Sequence, residues 1–312
     1  MAFSDLQIKV ASETAVMGLQ KNLAWTKYFA HDFSPMASQR WAGVQVPVFP
    51  NLEANEFAEG THDWCTGTNP EGTVVQLSKH WIQSYSIPDT GIGVNVEGGA
   101  YNGTAYGETN VNILRDGAVA LTNSLTNAAN QYFYNTVLDT VTKTEEFEIG
   151  TDKKESFANL FALCQDYKAS PFKSVLVLNP TVYAKMLSTL DSCAYGNSSP
   201  IQEGIAEKLY GFQAVLCSSY LKSGTLGAII PYGTVGIVNR YNAPAVNGYV
   251  NAWRATNEDG LTIGFRVFEH LCHGALKFGA DMLFGASILQ DGIIKLVEGS
   301  ESETEEDPPV GP

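Results

Sequence analysis

The chain has 312 residues, 44 % hydrophobic and 17 % charged, enough to bury a sizeable core in one large domain or two modest ones and too apolar for a disordered protein. Its formal charge is -14; Glu298, Glu301, Glu303, Glu305, Glu306 and Asp307 supply six of those charges near the end, which leaves -8 for the body. A net-negative body gains no counterion release on phosphate backbones, which argues against tight general nucleic-acid binding over most of the surface.

No run of eighteen apolar residues occurs, and residues 1–10 show neither a basic n-region nor an apolar h-region, so neither membrane insertion nor secretion is expected. Cys65, Cys164, Cys193, Cys217 and Cys272 are odd in number and widely spaced, the pattern of reduced thiols in a cytoplasm rather than of a disulfide framework.

Residues 1–40 read as an arm. Trp25, Tyr28, Phe29 and Phe33 are scattered among polar residues, with no face that could fold alone. Their rings must be buried elsewhere, against the rest of the chain or a neighbouring subunit. From Gly43 to Pro50 the alternation of Val44, Val46 and Val48 marks a half-buried strand, and two prolines restrict it to an edge. It is expected to pair with Thr73 to Pro88, where Val75, Leu77, Lys79, Trp81, Gln83 and Tyr85 share a face. Such a hairpin has little core of its own and needs something large to dock on.

Gly91 to Asn110 reads as loop. The longest periodic stretch follows, with Leu114, Ala118, Leu121, Leu125, Ala128, Tyr132, Thr136 and Thr140 at steps of three and four and no Pro among them. One amphipathic helix over residues 112–141 would span roughly 40 Å, long enough to brace a domain. A second helix starts near Asp152 or Ser156, carries Phe157, Leu160, Phe161, Cys164 and Tyr167, and stops at Pro171. Val175 to Leu178 is a short continuous apolar run, suited to a strand covered on both faces. Asn179 and Pro180 then supply the cap and first residue of a helix bearing Tyr183, Leu187 and Leu190. Further strands are expected at Phe212 to Cys217, Leu226 to Pro231, Val235 to Asn239, Leu261 to Val267, Leu276 to Phe278 and Ile293 to Val297. The closing acidic stretch is too like-charged to order itself.

Chemistry is thin. His270, Cys272 and His273, with His62 and Cys65 elsewhere, are the nearest approach to a metal set, but adjacent strand residues point to opposite faces and no CxxC or HxxxH supplies a half-site. No Gly-x-Ser-x-Gly, dinucleotide fingerprint or Walker loop occurs. Paired acids such as Asp152 with Glu155, or Glu258 with Asp259, read as a helix start and a turn. Trp253, Phe265, Phe268 and Phe278 sit at strand spacing and read as core. Trp41, Phe49, Phe57 and Trp64 lie on or beside segments without a core, which makes them candidates for intersubunit contact.

The order of elements resembles the Hong Kong 97 type capsid fold of tailed bacteriophages, an α+β architecture of N-terminal arm, extended hairpin loop, long spine helix, peripheral domain and axial α/β domain. Val74-Val-Gln-Leu-Ser-Lys-His-Trp81, Val175-Leu-Val-Leu-Asn-Pro-Thr-Val-Tyr-Ala184, Gly211-Phe-Gln-Ala-Val-Leu216 and Phe268 to Val297 carry the resemblance. It implies an arm at 1–40, an extended loop at 41–90, a peripheral domain at 91–170 with the spine at 112–141, an axial domain at 171–250, return strands at 251–297 and an acidic tail at 298–312. It also implies a major capsid protein rather than an enzyme, without cofactor or metal, whose hexamers and pentamers build an icosahedral virion shell around packaged double-stranded DNA. Its partners would be further copies of itself, a separate scaffolding protein, a portal and, in some relatives, a decoration protein. Asn51 to Gly72 holds no Lys, so no cross-linking residue is carried over. The rival expectations are an encapsulin-like compartment holding a cargo enzyme and a non-assembling α/β enzyme or binding domain.

Overall fold

Apolar runs in the sequence become, among the described residues, two six-stranded sheets and a two-stranded ribbon, and the chain divides into Met1–Leu138 with Tyr232–Asp291 and Asp139–Pro231 with Gly292–Pro312. The computed structural model describes residues 23, 25–37, 43–48, 71–88, 105–150, 153–166, 173–188, 205–207, 209–242, 251–257, 260–270 and 275–299.

In the first unit, β1 (Ala30–Asp32), β10 (Val235–Arg240), β13 (Ala275–Ile288), β12 (Thr262–His270) and β11 (Asn251–Thr256) pair in that order, and β4 (Lys79–Pro88) pairs with the other edge of β13. The fourteen-residue β13 is the axis of this sheet, bonded to β4, β12 and β10. One face of β13 presents Phe278, Ala280, Met282 and Phe284. On that side lie the short helix α1 (Trp25–Phe29) and the long helix α2 (Ala105–Tyr132). Trp25 stacks on Phe133 with centroids 4.3 Å apart and donates from Nε1 to Asn130 Oδ1 at 2.6 Å. Trp81 and Tyr132 meet edge-on at 6.0 Å.

The buried stripe of α2 runs through Ala118, Leu121, Leu125 and Ala129 and continues into Phe133 and Val137 of a π turn, Phe133–Val137. Repeated steps of four overshoot a 3.6-residue turn by about 40° each. The wider π turn takes up that drift and keeps Phe133 and Val137 on the core. Sequence periodicity had placed Ala128, Tyr132 and Thr136 there, one residue out of phase. The helix also begins at Ala105, inside the stretch expected to be loop; its α-helical part ends at Tyr132, and the π turn followed by a 3-10 turn, Leu138–Thr140, carries the helical path to within one residue of the expected end at 141.

The second unit carries the sheet β5 (Thr144–Glu146), β14 (Ile294–Val297), β9 (Thr225–Pro231), β6 (Ser174–Leu178), β8 (Ala214–Cys217) and β7 (Ile205–Glu207), in that order. All five residues of β6 are buried, as a continuous apolar run requires. Asn179 then caps α4 (Pro180–Leu187), accepting from the Val182 N–H at 2.7 Å, with Pro180 in the first turn. Phe157, Leu160 and Cys164 of α3 (Lys153–Asp166) and Val182, Tyr183 and Met186 of α4 close one core with Leu176, Val215, Ile229 and Leu296.

Four segment boundaries differ from those expected. Trp25 to Asp32 is no arm, because its rings fill the first core and β1 pairs in parallel with β10. Residues 79–88 do not continue the hairpin but join the large sheet through β13. Helix α3 falls in the second unit and β10 in the first, whereas the expected boundaries at 170 and 250 put them the other way round. Finally, β14 does not return to the sheet of β12 and β13: its Ile294 and Leu296 bury between β5 and β9 of the second.

Candidate contact surface

β2 (Gly43–Val48) and β3 (Glu71–Gln76) form an antiparallel pair with Val44 opposite Val75 and Val46 opposite Thr73. Opposed residues share a face, so Val44, Val46, Val48 and Val75 lie on one side of the ribbon, with Thr73 and Glu71 among them. Its base docks on the first unit: Val44, Val75 and Leu77 pack with Ala37, Val238, Leu283 and Leu289. Gly285 of β13 permits this crossing, since a Cβ there would overlap the Gln76 carbonyl. Away from the base the docking fades. Val44 is buried, but Val46 and Val48 are only half-buried, and on the other face Val74 is 53 % exposed. A two-stranded ribbon is marginal alone in water.

β4 adds a second open surface. It pairs with β13 over ten positions, and among the described residues its outer edge has no partner strand. Ile82 is 68 % exposed, and Gln83, Ser84 and Ser86 are exposed beside it. Trp81 to Pro88 contains no charge, whereas isolated proteins guard long edge strands with charges, bulges or a covering segment.

This chain is similar to the virus-like particle from Pyrococcus furiosus at TM-score 0.51 and 12 % identity, covering 92 % of this chain and 98 % of that one. It is similar to the Cyanophage A-1(L) capsid at TM-score 0.51 and 10 % identity, over 88 % and 93 % of the two chains. The Mycobacterium phage Che8 structure matches at TM-score 0.50 and 12 % identity, over 86 % and 88 %. The chain has the Hong Kong 97 type capsid fold. No protein-family model and no curated protein matches the sequence.

Among the described residues of the first unit one carboxylate is buried, Asp281, 2 % exposed. Its Oδ1 lies 3.0 Å from an Arg266 guanidinium nitrogen, a close ion pair without hydrogen-bond alignment. Its Oδ2 accepts from the Asn242 N–H at 3.0 Å and faces His80 Nε2 at 3.4 Å. Burial pushes the carboxyl above its usual range, against the pull of Arg266, Asn242 and His80. The cluster ties together β4, β12 and the segment after β10, a structural role. Among the described residues no group of three or more His, Cys, Asp or Glu side chains could hold a metal ion.

Trp41, Phe49, Phe57 and Trp64, the expected intersubunit residues, lie outside the described residues, as do His62, Cys65, Cys272 and His273. Of the four aromatics expected as core, Phe265 and Phe278 are fully buried, whereas Trp253, stacked on Phe265 at 5.6 Å, and Phe268 are half-buried. Sequence reasoning passed over the β4 edge, although the uncharged run after His80 was a visible signal for it. Arg266 carried no such signal, since its company depends on strand register.

Proposed function

We propose that this chain is the major capsid protein of a tailed bacteriophage, which self-assembles through hexamers and pentamers into an icosahedral shell enclosing double-stranded DNA. The observation that carries the reading is the exposed strand surface of the ribbon and β4, which a solitary protein would have to guard and a shell subunit uses. The capsid fold supports it. In this reading the first unit is the peripheral domain with its spine helix and the second the axial domain. Trp41, Phe49, Phe57 and Trp64 bury against neighbouring subunits, and a scaffolding protein and portal act during assembly in the host cytoplasm. No residue is given a catalytic role.

The likeness to the Pyrococcus furiosus virus-like particle favours one second reading, an encapsulin-like compartment around a cargo protein. Expression with and without the neighbouring genes, followed by negative-stain microscopy, sedimentation and absorbance of purified particles, decides between them. Closed particles with nucleic acid inside support the phage reading, and particles filled with protein support the compartment. A stable monomer in every condition overturns both.

A further inference from the structure

We infer that β4 of one copy pairs antiparallel, edge to edge, with β4 of a second copy of this chain, about a two-fold axis at Ser84. The inference rests on the self-assembly proposed above and names the strand that carries one of its contacts. Two six-stranded sheets then run into one another across the axis.

One edge of β4 is bonded to β13 in a continuous register from Lys79 to Pro88, so the strand is already held in extended form. Among the described residues its other edge has no partner strand. A held strand with a free edge is a template, because its outward N–H and C=O groups need only an extended backbone beside them. The side chains do not obstruct such an approach: Ile82, Gln83, Ser84 and Ser86 are exposed.

The order of charges along the strand selects a second β4 as the partner. Lys79 opens it and is exposed, Trp81 to Pro88 carry no charge, and Asp89 follows Pro88 in the sequence. In an antiparallel pair centred on Ser84, Ile82 stands opposite Ser86, Trp81 opposite Ile87 and Lys79 opposite Asp89. Cation meets anion at both ends of the ladder, and no charge lies between them. A parallel pair would set Lys79 beside Lys79. Within one copy the strand holds its two ends roughly 30 Å apart, so only another copy brings them together. The net charge of -14 acts in the same direction, since copies repel broadly and an uncharged edge lets two of them meet without adding to that cost. Because both copies offer the same edge, the contact is isologous and closes on itself instead of growing into a fibre.

Two sets of full-length variants test the pairing. Ser84→Cys, made in a Cys217→Ala background that lacks the exposed native thiol, tests the register. Directly opposed residues have Cα atoms about 4.5–5.5 Å apart, within disulfide range. Oxidised glutathione should convert these particles to covalent dimers on a non-reducing gel, while the Cys217→Ala parent stays monomeric there. Ser86→Cys alone should not cross-link, since the two copies of Ser86 lie roughly 13 Å apart along the strands. With Ile82→Cys added, it should. The second set tests the ends. Lys79→Asp or Asp89→Lys alone sets like charges together at both ends, and each should raise the protein concentration needed for particles about tenfold at low salt. An equimolar mixture of the two should assemble near the wild-type concentration, because opposite charges again meet. Thermal melts check that each variant folds; if Lys79→Asp does not, the cysteine variants still decide, since they alter only exposed side chains.

Normal particles without a Ser84→Cys cross-link overturn the pairing, whatever else lies on β4. Cross-linking through Ser86→Cys alone overturns the axis at Ser84. Folded charge variants that the mixture does not rescue show that Lys79 and Asp89 do not meet, and the inference fails. If wild type forms no particles, the self-assembly reading fails; Ser84→Cys dimers in solution would still uphold the strand pairing, and their absence would sink it as well.

Discussion

Gly117 of α2 lies against the Tyr85 ring of β4 so closely that a Cβ at that position would overlap the phenol. The glycine in a helix interior ordinarily costs about 1 kcal/mol relative to alanine, so its presence here reflects the ring and not the helix. Gly117→Ala should therefore destabilise the protein by about 1–3 kcal/mol through overpacking. In a Tyr85→Ala background the same change should be neutral or stabilising. Chemical denaturation of the four proteins of this cycle gives the coupling, and additive effects would show that the two residues do not constrain one another.

Trp25 joins the beginning of the chain to the first core. Trp25→Ala should cost about 3–5 kcal/mol, the range for a large buried ring. Trp25→Phe, which keeps the stacking on Phe133 but withdraws the donor from Asn130, should cost about 1 kcal/mol beyond the lost area. Thermal melts measure both. Losses near zero would return residues 25–32 to the status of an arm.

Cys164 offers a pH signature for the second unit. Burial pushes its thiol from 9.0 up to about 11. Below pH 9.0 the thiol is neutral whether the chain is folded or not, so its contribution is fully present. Between 9.0 and about 11 only the unfolded chain releases the proton, and stability is lost over that window. Tyr183, raised by burial from 10.0 to about 12, and Cys217, raised likewise, add to the alkaline loss, so Cys164→Ala should make the slope shallower between pH 9.0 and about 11 without abolishing it, as denaturant midpoints across that range would reveal. In the folded protein at neutral pH, alkylation mapped by mass spectrometry should reach exposed Cys217 before buried Cys164.

Ile82 separates folding from association. It is exposed on β4, so Ile82→Lys should change the melting midpoint by no more than about 0.5 kcal/mol equivalent while placing a charge on the bare strand edge. Loss of particles in negative stain, with a normal melt, is the expected result. Normal particles would remove β4 from the assembly surface.

Much of this architecture was legible because local periodicity and capping chemistry wrote it. The long helix announced itself through Ala118, Leu121 and Leu125, β6 through its unbroken apolar run, and α4 through Asn179 and Pro180. The start of α2 was hidden by Gly103 and Gly107 and by the asparagines around them, which read as turns. Its later phase was hidden by the π turn, which no sequence period encodes. Trp25 was hidden because a five-residue helix has too few turns to show a face. The destination of β14 could not be read at all: Ile294 and Leu296 say that a strand is half-buried, not which sheet buries it. For the contact surface, the absence of charge from Trp81 to Pro88 was readable, whereas the meeting of Arg266 and Asp281 follows from pairing across β12 and β13.

The order in which strands leave the ribosome gives β13 and β14 a further consequence. β13, at residues 275–288, is the strand on which β4, β12 and β10 all register, and β14, at residues 294–297, stands between β5 and β9. Each sheet therefore waits for a keystone made after residue 274, and a copy truncated before it completes neither unit. In a shell subunit this rejects unfinished copies at the level of folding, before any neighbour has to recognise the defect.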